Sequence, residues 1–461
     1  MPTTLEALVP AELVITYVLV NALHPAPRNA RRHTKKQIRK LATAIGRYGF
    51  RVPILARRDG MIIAGHCRHA AATLIGMESV PVIYVEDLSE ADLRLFAISE
   101  NQLGDLSHFS TDDLKLEFAE LAALNPDLDF TTAGFDAGHI DVLLEDQDDR
   151  APEVADPPLG SIDREKPPVS RLGDIWIIGC HRVACGDALD RTVYVALLDG
   201  ELAQLIVCDP PFNVRIKGHV SSSDHHAEFA MAAGEMGSEE FTTFLAEAGG
   251  HLKAFSGDGS IHFIFMDFRH FAELLAATDR NGWALMNLCV WVKSNAGMGS
   301  LYRSQHELVG VFKSGKAAHV NNVELGKHGR NRTNVWRYPG MSSFGKGRDE
   351  ALAMHPTVKP INLVADAIRD CSERGKIVLD AFLGSGTTIL AAEKTGRRGY
   401  GIELDPYYVD LAVERIAKAC GQVGVLSETG ERFDVVRERR ALERSKSNLE
   451  PNAGWGTIGH E

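Results

Sequence analysis

Residues 378–405 read VLDAFLGSGTTILAAEKTGRRGYGIELD, and the architecture of the chain turns on them. Ile377-Val378-Leu379 is a short apolar run rich in β-branched residues, which predicts a buried strand. Gly384-Ser385-Gly386 breaks the run, and Thr387 to Lys394 then has helical spacing that ends at Gly396. Tyr400-Gly401-Ile402 predicts a second strand with Glu403 at its end. Strand, glycine turn, helix and strand form a unit whose backbone can approach a nucleotide closely. An acid after the second strand can take ribose hydroxyls.

The turn departs from a dinucleotide fingerprint. Ile389 stands where a third glycine would be, and Asp380 and Phe382 are unusual beside a pyrophosphate. Such a turn suits a nucleoside whose far end is not a phosphate, such as S-adenosylmethionine. Taken alone it leaves that cofactor and other nucleotides open.

Further back in the chain, Leu205-Ile206-Val207-Cys208 predicts another buried strand, ending in Asp209-Pro210-Pro211-Phe212. Two successive prolines fix the backbone and remove its donors, leaving a carboxylate and carbonyls as acceptors beside a flat ring. That set suits an exocyclic NH2 group and a stacked base. An ordinary proline turn after a strand is the competing reading. Cys208 ends an apolar strand and reads as core rather than as a nucleophile.

Together, DPPF at 209–212, HPTVKP at 355–360 and LDAFLGSGTT at 379–388 resemble the amino-directed DNA methyltransferases. Their order looks like that of the β class, from about Arg171 to Lys418; Gly186–Leu189 and Glu307–Lys313 fit the same family. Phe212 stands where tyrosine is more usual, and it keeps the stacking face. The resemblance implies a Rossmann-like, S-adenosylmethionine-dependent α/β domain with a doubly wound sheet. It implies that Asp209, Pro210, Pro211 and Phe212 engage a flipped base. Asp380, Phe382, Gly384, Gly386 and Thr387 would shape the cofactor pocket, Glu403 would hold the ribose and Asp187 would meet the adenine end. His355, Thr357 and Lys359 would close over the methionine end. Target recognition would fall at about 295–350, with Arg330, Arg332, Trp336 and Arg337 touching double-stranded DNA. Asp-Pro-Pro tilts the acceptor toward adenine N6, with cytosine N4 as the alternative. A non-catalytic regulatory DNA-binding protein is a reading of a different class, which the intact DPPF argues against. No nuclease signature is evident, as for a modification enzyme without a restriction partner on the same chain.

The first 136 residues predict an α+β domain. Val14–Val20, Pro53–Ala56, Met61–Ala64 and Val80–Val85 are strand-like, Arg58-Asp59-Gly60 makes a hairpin turn, and Gln37–Tyr48 has helical periodicity. Gly65-His66-Cys67-Arg68-His69 opens a helix to about Ile75, offering backbone N–H groups and an arginine to a phosphate. With Pro27-Arg28-Asn29, Gly49 to Leu55 and Glu100-Asn101, these pieces resemble the ParB-like/sulfiredoxin superfamily over residues 14–110. In partition-type members this turn cradles a nucleotide triphosphate, and His66-Cys67 replaces their Glu-Arg pair, which puts hydrolysis in doubt. A DNA-binding accessory domain with a nucleotide or phosphate ligand is the expectation.

The chain has 461 residues, room for two or three domains, with 44% hydrophobic and 24% charged residues, as in an ordinary soluble protein. No apolar run approaches a membrane span, no cleavable leader is evident, and seven scattered cysteines without a CxxC pair predict reduced thiols in a cytoplasm. Nucleoid association in a bacterium or phage-infected cell follows from the DNA reading, and a homodimer is left open. The net charge of −12 hides segregation: eleven Lys or Arg and no acid from Arg28 to Arg58, and eight against Glu324 alone from Lys313 to Arg348. Basic stretches of this kind fit DNA, although each alone fits a solvated face. Between them, Asp141–Asp156 carries seven acids against Arg150, followed by Pro157-Pro158 and Pro167-Pro168. Residues 137–170 are therefore expected as an extended linker, 171–420 as the methyltransferase domain and 421–461 as a charged tail. No metal is expected: Cys180 and Cys185 read as buried thiols, and His219, Asp224, His225 and His226 as a loop closing over the base. Ser294–Ser300 reads as a second loop.

Overall fold

The computed structural model describes residues 13–125, 128–144, 162–214, 234–296, 301–323, 325, 332–340 and 358–447. The chain divides into two compact units, 1–145 and 146–461. Among the described residues no helix is long and apolar enough to cross a membrane.

In the first unit, strands β1 (Ile15–Leu19), β2 (His24–Pro25), β3 (Ile54–Ala56), β4 (Met61–Ala64) and β5 (Ser79–Tyr84) pair in the order β1-β5-β3-β4-β2. Helix α1 (Lys35–Tyr48) starts at Thr34, whose side chain accepts from the Gln37 N–H at 3.1 Å. Gly65 adopts φ +103° at the start of α2 (His66–Leu74), a left-handed turn that favours glycine. Helices α3 (Glu90–Asp105) and α4 (Thr111–Leu124) follow, each opened by a serine cap.

The expected boundary at 136 is corrected. Residues Ala137–Leu144 form helix α5, and Ile140 and Leu143 are buried with Phe118 and Phe130 in one small core. Sequence composition reads this stretch as acidic linker because the acids begin at Asp141, while the apolar i, i+3 pair that seats the helix precedes and interleaves them.

In the second unit ten strands form one sheet. They are β6 (Ile175–Ile178), β7 (His181–Cys185), β8 (Ala203–Cys208), β9 (Ser256–Met266), β10 (Ala284–Val292), β11 (His306–Lys313), β12 (Val335–Arg337), β13 (Ile377–Asp380), β14 (Arg398–Glu403) and β15 (Val425–Leu426). Their order is β12-β10-β11-β9-β8-β13-β14-β7-β6-β15. Strands β9, β8, β13, β14 and β7 run parallel, and antiparallel pairs flank them. The helices are α6 (Arg191–Leu198), α7 (Ser238–Ala254), α8 (Phe271–Arg280), α9 (Ile361–Cys371), α10 (Thr387–Lys394), α11 (Pro406–Cys420) and α12 (Phe433–Ser447).

Alternation along the central strands builds two cores. Leu205, Val207 and Val378 join one with residues of α9, α10 and α11; Ile206, Cys208, Ile377 and Leu379 join the other with residues of α6, α7 and α8. This is the doubly wound sheet. From β8 the chain continues to β9 on one side, and from β13 to β14 on the other. The neighbouring ends of β8 and β13 therefore open a crevice at a topological switch point, where ligands bind in sheets of this kind.

The expected tail is also corrected. Phe433 on α12 stacks edge-on to Trp176 at 4.9 Å, and Arg440 pairs with Asp174 at 2.8 Å. The linker likewise ends early, since Val169 and Ser170 N–H groups donate to Asp410 at 2.6 and 2.8 Å. Charge on the outer faces of these segments masks the few residues that seat them.

Candidate active site

Two strand ends and one approaching segment build the site. At the end of β13, Asp380 is buried, accepting from the Phe382 N–H at 3.0 Å and the Thr388 hydroxyl at 2.6 Å. The next strand, β14, brings Glu403, whose two oxygens accept from the Gly384 and Asp405 N–H groups, each at 2.8 Å. The turn is thus held from both sides. Gly384 has φ +55° with open space where a side chain would stand, and Gly386 has φ +89° where a Cβ would press on Ala412 and Ile416 at 3.3 Å. Burial pushes the carboxyls of Asp380 and Glu403 up to about 7 each. Asp187 follows β7 at the same edge: the Gly186 N–H donates to the Glu403 carbonyl at 2.9 Å, and Asp187 itself accepts from Leu189 N–H at 2.8 Å. Phe382 is half-buried, 5.9 Å from the Phe244 ring, and Thr387 is buried at the first turn of α10.

At the end of β8, Asp209 Oδ2 accepts from Lys359 Nζ at 2.6 Å. Asp209 Oδ1 is buried and has no hydrogen-bond partner among the described residues. Burial raises the Asp209 carboxyl, and the Lys359 ammonium pulls it back. Pro210 is buried, Pro211 follows it, and Phe212 is half-buried with Lys359 Nζ 5.3 Å from its ring. Lys359 is thus drawn to the proline turn and its acid. His355 and Thr357 lie outside the described residues.

The sequence reading misses two residues that fix this edge. Asn213 has φ +51°, uncommon for a side chain-bearing residue; its amide donates to the Met236 carbonyl at 2.8 Å and accepts from Gly234 and Met236 N–H groups at 3.0 and 3.2 Å. Asn directly after a proline turn was the available signal, because Asn tolerates the left-handed region. Arg415 on α11 is buried and donates to the Ser385 carbonyl at 3.0 Å, clamping the glycine turn from below. Nothing in its local sequence marks it.

The expected DNA contacts fare unevenly. Trp336 is 5% exposed and packs 5.9 Å from Phe263. Arg332 is committed to Asp366 at 3.0 Å and Asp370 at 2.6 Å. Both are core-facing and leave the set of DNA contacts. The alternation of β12 turns Trp336 inward and leaves Arg337 exposed. Arg330, the loop at 219–226 and residues 297–300 lie outside the described residues.

Cys180 is exposed rather than buried, at the β6–β7 turn. With His181 and Glu393 it forms a cluster of metal-ligand type. His181 Nδ1 accepts from the Gly399 N–H at 2.8 Å, which puts the ring proton on Nε2, 2.9 Å from Glu393. A metal at Nε2 would need that nitrogen's lone pair, so the cluster reads as a hydrogen-bonded pin. Cys67 and Cys208 are buried and their thiols are pushed up by burial, the reverse of a reactive thiolate.

A crevice at the switch point, a glycine turn with a buried acid at the end of the next strand, and an acidic proline turn beside an aromatic ring make up the candidate site. Residues 203–414 match the DNA methylase family model of the N6/N4 type, and residues 6–102 match the ParB N-terminal domain model. The chain joins a domain of the N6/N4 DNA methylase family to a ParB N-terminal domain. It is 41% identical over 88 residues to the type II methyltransferase M.ScaI of Streptomyces caespitosus, covering 19% of this chain and 29% of that one. The chain thus spans under a third of that relative's length. Among solved structures, it is similar to TTHA0409 of Thermus thermophilus, a putative DNA modification methylase complexed with S-adenosyl-L-methionine, at 21% identity and TM-score 0.37 over 52% of this chain and 94% of that one. It is also similar to the cytosine-N4-specific PvuII DNA methyltransferase, at 17% identity and TM-score 0.41 over 60% and 96%.

Proposed function

We propose that the second unit methylates DNA, moving a methyl group from S-adenosylmethionine to the exocyclic amine of a base lifted out of the duplex. Adenine N6 is the favoured acceptor and cytosine N4 the alternative. The observation that carries this is Asp209 Oδ1, a buried carboxylate oxygen without a partner among the described residues at the end of β8, beside Phe212 and across the switch point from the glycine turn. A buried acceptor left unmade is costly, so a ligand N–H is the fitting partner.

The residues present fit the cofactor. Gly384 leaves open space at the turn, Glu403 keeps lone pairs for ribose hydroxyls, Phe382 offers an apolar flank and Asp187 lies at the adenine end of the same edge. S-adenosylmethionine supplies an electrophilic methyl on a sulfonium. Asp209 Oδ1 and the Pro210 carbonyl accept the two amine hydrogens, drawing the nitrogen lone pair out of conjugation and toward the methyl. Phe212 stacks on the extruded base. With the cofactor bound, the amine nitrogen would take the methyl, the S–C pair would remain on sulfur and the surplus amine proton would pass to solvent. Positioning and electrostatics supply the acceleration, with no covalent enzyme intermediate.

In the first unit the reading is an anion site at the start of α2. Arg68 Nε is buried with no partner among the described residues, beside Gly65 in its left-handed turn. Phosphate or a nucleotide fits that chemistry. A homodimer and a nucleoid location belong to the same reading of the chain as a DNA-acting protein.

The test is transfer of labelled methyl from S-adenosylmethionine to unmethylated genomic DNA, with nucleoside mass analysis and Asp209→Ala beside the wild type. N6-methyladenine that falls by at least about a hundredfold in the variant supports the reading. N4-methylcytosine moves the assignment to the alternative base. Cofactor binding without labelled DNA overturns it in favour of a regulatory binding protein.

A further inference from the structure

Behind Asp209 lies a chain of charges: Lys359, Glu307 and Lys293. Lys359 Nζ, on a side chain only 6% exposed, lies 2.6 Å from Asp209 and 3.1 Å from Glu307. Glu307 is in turn paired with Lys293 at 2.5 Å. We propose that Glu307 and Lys293 are positioning residues for the Asp209–Lys359 pair, holding the Lys359 ammonium on Asp209 Oδ2 so that Oδ1 alone faces the substrate amine. The inference rests on the methyltransferase reading above and deepens it.

A lysine ammonium is a flexible point charge with three donors, and beside a carboxylate it can swing between both oxygens. A second anchor removes that freedom. Glu307 supplies it from the second position of β11, and Lys293, directly after β10, fixes Glu307. The two strands pair antiparallel with Val292 opposite His306, and the Lys293 N–H donates to the Gln305 carbonyl at 2.9 Å, so both side chains leave the same sheet edge. Lys293 Nζ also lies 4.7 Å from the Trp291 ring, and Lys359 lies between the Phe212 and Phe265 rings at 5.3 and 5.2 Å. These rings leave the ammonium little room to move away from its two acids.

The four groups are two anions and two cations, balanced only while Asp209 is ionised. An ionised carboxylate is also the stronger acceptor for the amine. The charged or titratable groups acting on Asp209 are Lys359, Glu307, Lys293, Asp380 and Cys208. Lys293 favours its ionised form and Glu307 disfavours it. The two positioning residues therefore act on its titration with opposite signs.

The experiment follows the Asp209 carboxyl by carbon-13 NMR of aspartate-labelled full-length protein, assigned with Asp209→Asn. It compares wild type, Lys293→Met, Glu307→Gln and the double variant, and measures methyl transfer alongside. The expected result is a midpoint raised in Lys293→Met, lowered in Glu307→Gln and near wild type in the double variant. Turnover should fall about tenfold or more in each single variant with the cofactor KM unchanged. The double variant removes a cation and an anion together, so it avoids the unpaired buried charge that could unfold a single one. Midpoints that do not move, or that move in the same direction, overturn the proposal, as does single-variant turnover within about twofold of wild type. Because the titration needs no turnover, wild type that fails to methylate DNA sinks the methyltransferase reading while the NMR still decides this one.

Discussion

At the scale of single residues, the site is a set of carboxyls held away from their ordinary values. Glu403 has an ordinary value of 4.5 and is pushed up to about 7 by burial, against the two N–H groups it accepts from. Between those values the folded chain holds a proton that the unfolded chain has lost. This group therefore takes stability away as pH rises from about 4.5 to about 7. In the proposed ribose role cofactor binding runs the other way, since ribose hydroxyls would donate to the ionised form. Affinity for S-adenosylmethionine should rise as pH rises through about 7. Glu403→Gln should bind on the order of tenfold more weakly and lose that pH dependence. Isothermal titration calorimetry across this range reads both effects, and an unchanged slope in the variant would remove Glu403 from the ribose role.

At the scale of elements, the short strand β12 shows how a basic stretch can be divided between core and surface. Arg332 anchors it to α9 through Asp366 and Asp370, Tyr338 shares Asp366, and Trp336 is sealed against Phe263. Removing Asp370 takes from the largely buried Arg332 guanidinium its nearer carboxylate. Asp370→Ala should cost about 3 kcal/mol in denaturant unfolding, whereas Arg337→Ala, on the exposed face, should leave stability within about 0.5 kcal/mol. Arg337→Ala should instead weaken DNA binding and reduce its salt slope by about 1 if Arg337 meets a phosphate. Binding measured at several salt concentrations separates these roles; an unchanged slope withdraws Arg337. The fold around β12 is illegible from sequence, because Lys313–Arg348 reads as uniform basic surface until the pleat assigns alternate residues to opposite faces.

At the scale of the whole molecule, the chain is two units, each with its own core. The second does not end where its motifs end. Truncation of the full chain after Cys420 would remove Phe433 and Val436 from the core and strip Asp174, with a side chain 10% exposed, of Arg440. A loss of about 3 kcal/mol or more and a lower Tm are expected. A truncated chain with wild-type unfolding would show that α12 is dispensable.

Read without its fold, the chain already dictates the strand–turn–helix–strand unit at 377–403, the Asp209–Phe212 turn and the presence of two units, because these depend on local periodicity, glycine and proline chemistry. It also places Asp380, Glu403 and Asp209 at strand ends, since an acid that follows an apolar run can hardly stand elsewhere. Folding in three dimensions was needed to bring Lys359, 150 residues away, to Asp209, to set Glu307 and Lys293 behind it, and to lock the two turns with Asn213 and Arg415. It was needed as well to turn Arg332 and Trp336 inward and to seat 137–144 and 433–447 as helices. The physical reason is common to all of them. An ion pair or a packed ring between residues far apart in the chain leaves no periodic trace in the sequence, because its partner is chosen by the order of strands in the sheet.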